Sequence, residues 1–218
     1  MIETFCEYIE AIMNKIVDNW NNRYSSDEYA YGELPNNYLK EQLKKLPAGK
    51  ILFPGEGEGR NAVYAARKGW EACAYDISAV GKMKAEKLAA KHNVQIDYRV
   101  GEIQNLGYQK EDFDVVALIY LHLPKDERSL LYDSIYHVLR PGGMLIAELF
   151  SKNHIEYQKK NRNVGGPENI DFLYSIQDIK SDFHKYSILE LKEVEIELQE
   201  GNYHNGTASV IRFIGRKD

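Results

Sequence analysis

The sequence has few cysteines and no long apolar run. Its two cysteines, Cys6 and Cys73, lie far apart among 218 residues, which argues against a disulfide framework and predicts free thiols of a reducing compartment. The six histidines are scattered and unpaired with cysteines, so no metal site is expected. No stretch approaches the length of a membrane span, and no basic segment followed by an apolar block opens the chain. We therefore expect a cytoplasmic protein that neither spans a membrane nor binds a metal.

The chain also has fewer basic than acidic residues, 28 against 33. The net charge is -5 and the isoelectric point is near 5.8, which argues against a broad nucleic-acid-binding face but leaves a local basic patch open. The length predicts one α/β domain over residues 1–218, with residues 1–49 as a helical or lid-forming extension. We expect a small-molecule partner and a monomer or a homodimer.

Residues 50–66 carry the clearest motif in the chain. A short apolar run ends at Pro54, three glycines follow at alternate positions, and a helical pattern of small apolar residues begins directly after them. A strand, a glycine turn and a helix in this order hold nucleotide-like ligands in doubly wound sheets, because glycine allows close backbone approach and the helix end offers free N–H groups. Gly55, Gly57, Gly59 and Asn61 are thus candidate ligand-binding residues.

The spacing of this turn departs from the dinucleotide fingerprint. It is G-x-G-x-G instead of G-x-G-x-x-G, and it contains Glu56 and Glu58. Two carboxylates repel pyrophosphate at close range but tolerate an ammonium or a sulfonium. S-adenosylmethionine carries both of these cations and no phosphate. The other interpretation is a glycine-rich turn that only joins a strand to a helix.

Two further candidates follow the next strands. Asp76 ends an apolar run about twenty residues after the glycine turn, where such sheets present a carboxylate to ribose hydroxyls; alternatively, it caps the following helix. Gly101, Glu102 and Ile103 follow the third strand and are placed to reach an adenine ring, or they form a loop without a role. Ile77, beside Asp76, belongs to the same predicted cofactor site.

A nearly continuous apolar and β-branched run over residues 113–120 predicts a strand buried on both faces. The run ends at Tyr120 and is followed by Leu121 and His122. These three residues lie at the carboxyl end of the strand, and that end faces the ligand crevice. A lone histidine is more often structural than catalytic, so His122 is a candidate with two open interpretations.

The remaining patterns predict the rest of the architecture. Ser175 and Asp178 form a candidate capping box, and residues 151–171 are expected to be irregular. The last two strands are joined by a glycine turn, which predicts an antiparallel hairpin at the sheet edge. Helices are expected over residues 5–17, 38–46, 60–68, 79–92, 126–139 and 176–183, and strands over 50–54, 71–75, 95–100, 113–120, 144–150, 188–198 and 208–215.

The segment over residues 20–37 is dense in aromatic residues and turn formers. It contains Trp20, Tyr24, Tyr29 and Tyr31 and shows no clear period. It is either a lid over a pocket or a segment whose aromatic side chains pack the N-terminal region onto the domain.

The order of these motifs resembles a class I S-adenosylmethionine-dependent methyltransferase. The residues that carry the resemblance are the string 51–62, Asp76, the Gly101-Glu102 pair, the Phe113-Asp114 pair and residues 139–143. Within that superfamily the chain is similar to the tellurite-resistance (TehB-like) group, on the Gly59-Arg60-Asn61 run, the Tyr31-Gly32 pair with Pro35-Asn36, and residues 201–204. The resemblance covers nearly the whole chain, and its motifs are specific for the cofactor but weak for the substrate.

The resemblance implies a Rossmann-like, doubly wound, mostly parallel seven-stranded sheet with an antiparallel C-terminal hairpin, in a three-layer sandwich. It implies that the glycine turn holds the methionine part of S-adenosylmethionine, that Asp76 binds ribose, and that Glu102 and Ile103 flank adenine. Tyr120, Leu121 and His122 would lie beside the methyl group. The methyl acceptor is expected to be a small molecule such as a thiol or a tellurium or selenium oxyanion. The catalytic or substrate-side candidates are Tyr31, His122, Tyr203 and His204.

One position departs from the family pattern. Phe53 stands where an acidic residue is common, two residues before the first glycine of the turn. Either Glu56 replaces that carboxylate and binds the ammonium of the cofactor, or cofactor binding is weakened. Phe53 therefore leaves open a non-catalytic S-adenosylmethionine-binding module. A nicotinamide-dependent oxidoreductase is a second alternative, against which the glycine spacing and the acidic turn argue.

Overall fold

The structure, a computed structural model, describes the backbone of residues 2–218 and the side chains from residue 11 onward. Cys6 and the first part of the expected apolar helix face therefore lie outside the described side chains. The helices are α1 Ile2–Tyr24, α2 Asn37–Leu43, α3 Arg60–Arg67, α4 Ala79–Lys91, α5 Lys125–Val138, α6 His154–Lys160 and α7 Ile176–Asp182. The strands are β1 Lys50–Pro54, β2 Glu71–Asp76, β3 Asp97–Val100, β4 Phe113–Ile119, β5 Leu139–Phe150, β6 Tyr186–Glu200 and β7 His204–Lys217.

The seven strands form one sheet in the order β3-β2-β1-β4-β5-β7-β6. Strands β1 to β5 pair in parallel, and β7 pairs antiparallel with both β5 and β6. This arrangement confirms the predicted mostly parallel sheet and its C-terminal hairpin. The carboxyl ends of β1, β2 and β4 meet at one edge of the sheet, which is where ligands bind in open α/β sheets.

Apolar clusters cover both faces of the sheet, as the continuous apolar strands require. On one face, Ile135 of α5 and Ile179 of α7 pack with residues such as Leu118. On the other face, α2, α3 and α4 pack on β1 and its neighbours. Phe53 is fully buried in this second cluster, so the position that departs from the family pattern belongs to the hydrophobic core.

Several elements differ from the sequence-based expectation. Helix α1 continues to Tyr24, past the expected end at residue 17. A seven-residue helix, α6, lies inside the segment expected to be irregular; its sequence is mostly polar and has no apolar period that would reveal it. Strand β5 begins at Leu139, before the Pro-Gly-Gly segment, and its pairing with β4 is irregular at that point.

The hairpin strands are longer than predicted. Strand β6 covers 15 residues and β7 covers 14, and they are joined by only three residues. The expected capping box of α7 is confirmed: the Ser175 hydroxyl accepts from the Asp178 amide at 3.1 Å, and the Asp178 carboxylate accepts from the Ser175 amide at 2.9 Å. Local hydrogen-bond chemistry of this kind is visible in a sequence, whereas strand length depends on distant partners.

Candidate active site

The glycine turn lies between β1 and α3, as predicted. Gly55, Gly57 and Gly59 all have positive φ, a conformation that other residues rarely adopt. A Cβ on Gly59 would fall 2.8 Å from the Ala85 Cα, so α4 packs too closely against the turn for a larger residue. The turn is therefore built from glycine for both conformational and steric reasons.

Glu56 closes this turn onto the start of α3. Its Oε1 accepts hydrogen bonds from the backbone amides of Asn61 and Ala62, each at 2.7 Å, and its Oε2 accepts from the Asn61 side chain at 3.3 Å. Burial raises the pKa of Glu56 to about 7, even though these hydrogen bonds favour the carboxylate. Glu56 thus occupies the helix N-terminus, where negative charge is stabilised, in a site with little solvent.

Asp76 ends β2 and holds the opposite side of the turn. Its carboxylate accepts from the Gly57 and Ser78 amides, both at 2.9 Å. The cap of α4 is Ser78, whose hydroxyl accepts from the Gly81 amide, so the carboxylate is not the helix cap. Burial raises the pKa of Asp76, because a charged carboxylate here has lost most of its water.

The predicted adenine-side residues follow β3. The Gly101 amide donates to the Asp76 carbonyl at 3.0 Å, which brings the two strand ends together. Glu102 is exposed, Ile77 is half-buried, and Ile103 is buried within the core. On the other side of the crevice, the Leu121 side chain contacts Gly55, so the residue after Tyr120 reaches the glycine turn. All of the predicted cofactor residues therefore border the same sheet edge.

The end of α1 covers the glycine turn. The sequence left open whether the aromatic residues of this region lie over a pocket or only pack onto the domain. Tyr24 is buried, and its hydroxyl lies directly over Gly57. Trp20 stacks on Tyr24 with ring centroids 5.6 Å apart. Asn21 accepts a hydrogen bond from the Ser78 hydroxyl at 2.7 Å, which fixes α1 to the start of α4. The aromatic residues at the end of α1 therefore lie against the predicted cofactor site.

The loop after α1 is tied to the glycine turn and to the β6–β7 hairpin. The Glu58 carboxylate accepts from the Ala30 amide at 2.8 Å and pairs with Lys84 of α4 at 2.6 Å. The Asn202 amide donates to the Ala30 carbonyl at 2.9 Å. A Cβ on Gly201 would fall 2.5 Å from the Gly32 amide, so the hairpin turn packs directly on this loop. The aromatic loop after α1 and the turn of the β6–β7 hairpin are therefore in contact.

Aromatic and imidazole rings form a cluster beside the glycine turn, at the carboxyl ends of β4 and β5. The His204 ring lies 4.5 Å from Tyr31, 5.0 Å from Tyr120 and 5.4 Å from Phe150, measured between centroids. Tyr203 is farther out: its ring is 6.0 Å from Tyr31 and it is partly exposed. Three of the four substrate-side candidates thus come together directly.

The fourth candidate, His122, joins the cluster through Phe150, with ring centroids 5.5 Å apart. Its Nδ1 donates to the Phe172 carbonyl at 2.9 Å, and its Nε2 accepts from the Phe150 amide at 3.3 Å. Burial lowers the pKa of His122 to about 3, so the ring is neutral. Because both ring nitrogens have backbone partners, this histidine forms a wall of the cluster and has no free proton-accepting atom.

Tyr120 is held in an unusual conformation at the end of β4. Its φ is +54°, which is rare for a residue with a side chain and is found most often at functional sites. Its hydroxyl donates to Glu148 Oε1 at 2.8 Å, and Asn36 and Arg212 bind the same carboxylate at 2.7 Å each. The ring stacks on Phe150 at 4.7 Å. This network fixes the Tyr120 ring within the aromatic cluster.

Sequence reasoning assigned no site role to three residues that the structure places here: Arg60, Phe150 and Glu200. Arg60 is the first residue of α3, and its guanidinium donates to Glu200 Oε2 at 3.0 Å. The same Glu200 oxygen lies 3.0 Å from His204 Nδ1. The position of Arg60 directly after Gly59 was a usable signal, whereas nothing local marks Glu200, which is 140 residues away.

The crevice suits a cationic ligand better than a phosphate. Glu56 and Asp76 lie on opposite sides of Gly57, and burial raises the pKa of each because charged carboxylates are costly there. A bound ammonium or sulfonium would lower that cost, while pyrophosphate would raise it. The charged groups of the turn therefore fit S-adenosylmethionine, which supplies a methyl group on a cationic sulfur.

The sheet order, the glycine turn after β1 and the carboxylate after β2 define the class I fold of S-adenosylmethionine-dependent methyltransferases. A family model for a methyltransferase domain matches residues 51–143, from β1 into β5. Over residues 51–143 this match agrees with the predicted class, a methyltransferase, and the fold is the one predicted for that class. No protein of curated function matches the sequence.

Three solved structures illustrate the likeness in fold. One, concerned with the conversion of a disulfide bond into a thioacetal group during echinomycin biosynthesis, aligns with a TM-score of 0.76 at 16% identity, over 93% of this chain and 92% of that one. Magnesium protoporphyrin IX methyltransferase from Synechocystis, with bound S-adenosylhomocysteine, aligns with a TM-score of 0.68 at 16% identity, over 94% of this chain and 99% of that one. TehB from Haemophilus influenzae aligns with a TM-score of 0.66 at 17% identity, over 93% of this chain and 67% of that one.

Over residues 2–218, no helix has the length and apolar character needed to cross a membrane. Among the side chains that the structure describes, no group of three or more His, Cys, Asp or Glu is arranged to hold a metal ion.

Proposed function

We propose that this protein is an S-adenosylmethionine-dependent methyltransferase that acts on a small molecule, either a thiol or a tellurium or selenium oxyanion. The observation that carries the proposal is the cluster of Tyr31, Tyr120, Phe150 and His204 beside the glycine turn. Polarisable aromatic walls favour a soft, polarisable nucleophile. The likeness to TehB, and to a structure concerned with sulfur chemistry in echinomycin biosynthesis, is in keeping with such acceptors.

We further propose the cofactor contacts. The Gly55–Gly57 backbone and Glu56 hold the methionine part, Asp76 accepts from the ribose hydroxyls, and Glu102 with Ile103 borders the adenine. Glu56 then supplies the carboxylate that Phe53 cannot. Methyl transfer from a sulfonium has a neutral leaving group, so the residues of the site mainly align the acceptor and exclude water.

The acceptor proposal is tested by turnover of the purified protein with S-adenosylmethionine and separate panels of alkyl thiols, tellurite and selenite. Formation of S-adenosylhomocysteine with at least one of these acceptors is the expected result. Binding of the cofactor without turnover of any acceptor would favour the alternative of a non-catalytic binding module, which Phe53 motivates. If tellurite is the acceptor, a role in tellurite resistance follows. We place the protein in the cytoplasm as a monomer or homodimer.

Cofactor binding is expected to depend on pH through Glu56. The folded-state pKa of Glu56 is raised to about 7 by burial, so the group is protonated below that pH and cannot pair with an ammonium. We expect the affinity for S-adenosylhomocysteine to fall as the pH is lowered from 8 to 6, and proton release to accompany binding near pH 7. Calorimetry in buffers of different ionisation enthalpy measures both quantities.

Glu56→Gln serves as the test variant, and Glu71→Gln, exposed at the start of β2, is the matched control. The Glu56→Gln variant should bind more weakly at pH 8 and lose the pH dependence, while the control should match the wild type. An unchanged pH profile in the Glu56→Gln variant would remove Glu56 from the ammonium site.

A further inference from the structure

The β6–β7 hairpin carries a carboxylate–histidine pair into the aromatic cluster. Glu200 and His204 are directly opposite each other in the strand register, across the three-residue turn. Their side chains meet at 3.0 Å, between Glu200 Oε2 and His204 Nδ1. The geometry of the pair is thus set by backbone pairing, which makes it rigid.

Arg60 keeps Glu200 ionised. Its guanidinium donates to Glu200 Oε2 at 3.0 Å, and the Arg60 and Glu200 side chains are 9% and 12% exposed. Burial opposes ionisation of Glu200, but the Arg60 charge and the His204 hydrogen bond outweigh it and lower the pKa of Glu200 to about 2. A carboxylate only accepts hydrogen bonds, so the His204 proton is assigned to Nδ1 and the lone pair to Nε2.

His204 differs in this respect from the two other histidines of the cluster. Both nitrogens of His122 have backbone partners, and His154 contacts the Gly165 carbonyl through Nε2 and the Ser209 amide through Nδ1. For His204, the residues that the structure describes provide a partner for Nδ1 alone. Burial lowers the pKa of His204, partly offset by Glu200, so the ring is neutral at pH 7 and Nε2 can accept a proton.

We propose that His204 Nε2 takes the proton of the methyl acceptor, with Glu200 and Arg60 as positioning residues, and that the acceptor is therefore a thiol. This inference rests on the proposed function and narrows it. The S–H bond of the acceptor breaks, its proton moves to Nε2, and the remaining electron pair forms the new S–C bond. The cofactor supplies the methyl group, and its sulfur keeps the electron pair of the broken bond. The imidazolium then returns its proton to water.

The fixed tautomer of His204 favours an acceptor that carries a proton over an oxyanion. A thiol enters uncharged and is ionised only at the reacting position, where it needs a proton acceptor. A metalloid oxyanion is already ionised and needs no proton acceptor. The fixed Nδ1–H tautomer is thus useful for a thiol and without purpose for tellurite or selenite.

The titratable and charged groups around His204 come from several elements, and of these Glu200, Arg60 and Arg23 act on its pKa besides burial. The surrounding groups are Arg23 of α1, Tyr31 of the following loop, Arg60 of α3, Tyr120 and His122 after β4, His154 of α6, Glu200 of β6, and Tyr203 of the hairpin turn.

The tautomer of His204 is measured first, by long-range proton–nitrogen NMR of the full-length ¹⁵N-labelled protein at pH 7.5. The wild type should show a protonated Nδ1 and a bare Nε2. Glu200→Met, which removes the acceptor, should shift the proton toward Nε2, and Glu200→Gln, which keeps an acceptor oxygen, should restore Nδ1–H. Glu197→Gln is the matched control, because Glu197 is an exposed carboxylate on the same strand. A wild-type spectrum with the proton on Nε2 overturns the proposal and needs no variant.

Kinetics give the second readout. Glu200→Met should lower kcat with an alkyl thiol by about 100-fold or more, the usual contribution of a positioned base. Its affinity for S-adenosylhomocysteine should stay within about two-fold of the control, and Glu200→Gln should recover part of kcat. Equal thiol kcat in the Glu200→Met and Glu197→Gln variants, or turnover of tellurite but of no thiol in the wild type, overturns the inference. If the wild type binds no S-adenosylhomocysteine, the proposed function fails instead.

Discussion

Replacing Asp76 with alanine is expected to weaken the binding of S-adenosylhomocysteine by about ten-fold or more, because charge-assisted hydrogen bonds to the ribose are lost. The change also removes the acceptor of the Gly57 and Ser78 amides, so the glycine turn loses part of its support. Titration calorimetry of the variant at pH 8 measures the combined effect.

A ligand control separates these two causes. The 2′-deoxyribose analogue of S-adenosylhomocysteine lacks one of the hydroxyls that Asp76 is proposed to bind. The wild type should bind this analogue more weakly than the parent compound, while the Asp76→Ala variant should bind the two alike. If the wild type and the variant discriminate by the same factor, Asp76 supports the turn but does not contact ribose.

Replacing Arg60 with methionine is expected to destabilise the protein by about 3–5 kcal/mol, as measured by urea unfolding at pH 7.5. The guanidinium is buried and donates to Glu200 and to the carbonyls of Tyr31 and Leu34. Without it, a buried carboxylate keeps its charge but loses its counter-ion. The loop after α1, which contains Tyr31 and Leu34, also loses its hydrogen bonds to α3.

The double variant Arg60→Met/Glu200→Gln provides the control for charge. A neutral amide at position 200 costs less to bury than an unpaired carboxylate, so the double variant should be more stable than Arg60→Met alone. If the double variant is as unstable as the single one, the loss comes from the loop carbonyls and not from the ion pair.

The parts of the fold that depend on local chemistry were predictable from the sequence. The glycine turn, the capping box at Ser175 and the buried strand β4 each follow from a few neighbouring residues. The role of Phe53 was not: it stands where an acidic residue is common, and only its packing shows that it belongs to the core. Helix α6 was missed because its mostly polar sequence carries no apolar period.

The contacts that complete the candidate site join residues far apart in the chain. Arg60 and Glu200 are separated by 140 residues, and the loop that carries Ala30 meets the hairpin turn at Asn202. The sequence showed aromatic residues in both segments, but their contact depends on the length of β6 and β7, which extends the hairpin to the crevice. Long-range register of this kind has no local signal.

The acid-bearing glycine turn is proposed to bind a cationic, phosphate-free adenosyl compound, and the other site assignments depend on this binding. Calorimetric titration of the wild-type protein at pH 8 with S-adenosylhomocysteine, and separately with NADH, tests this claim directly. We predict saturable one-site binding of S-adenosylhomocysteine and no heat with NADH. Absence of binding to S-adenosylhomocysteine, or tighter binding of NADH, would contradict the account.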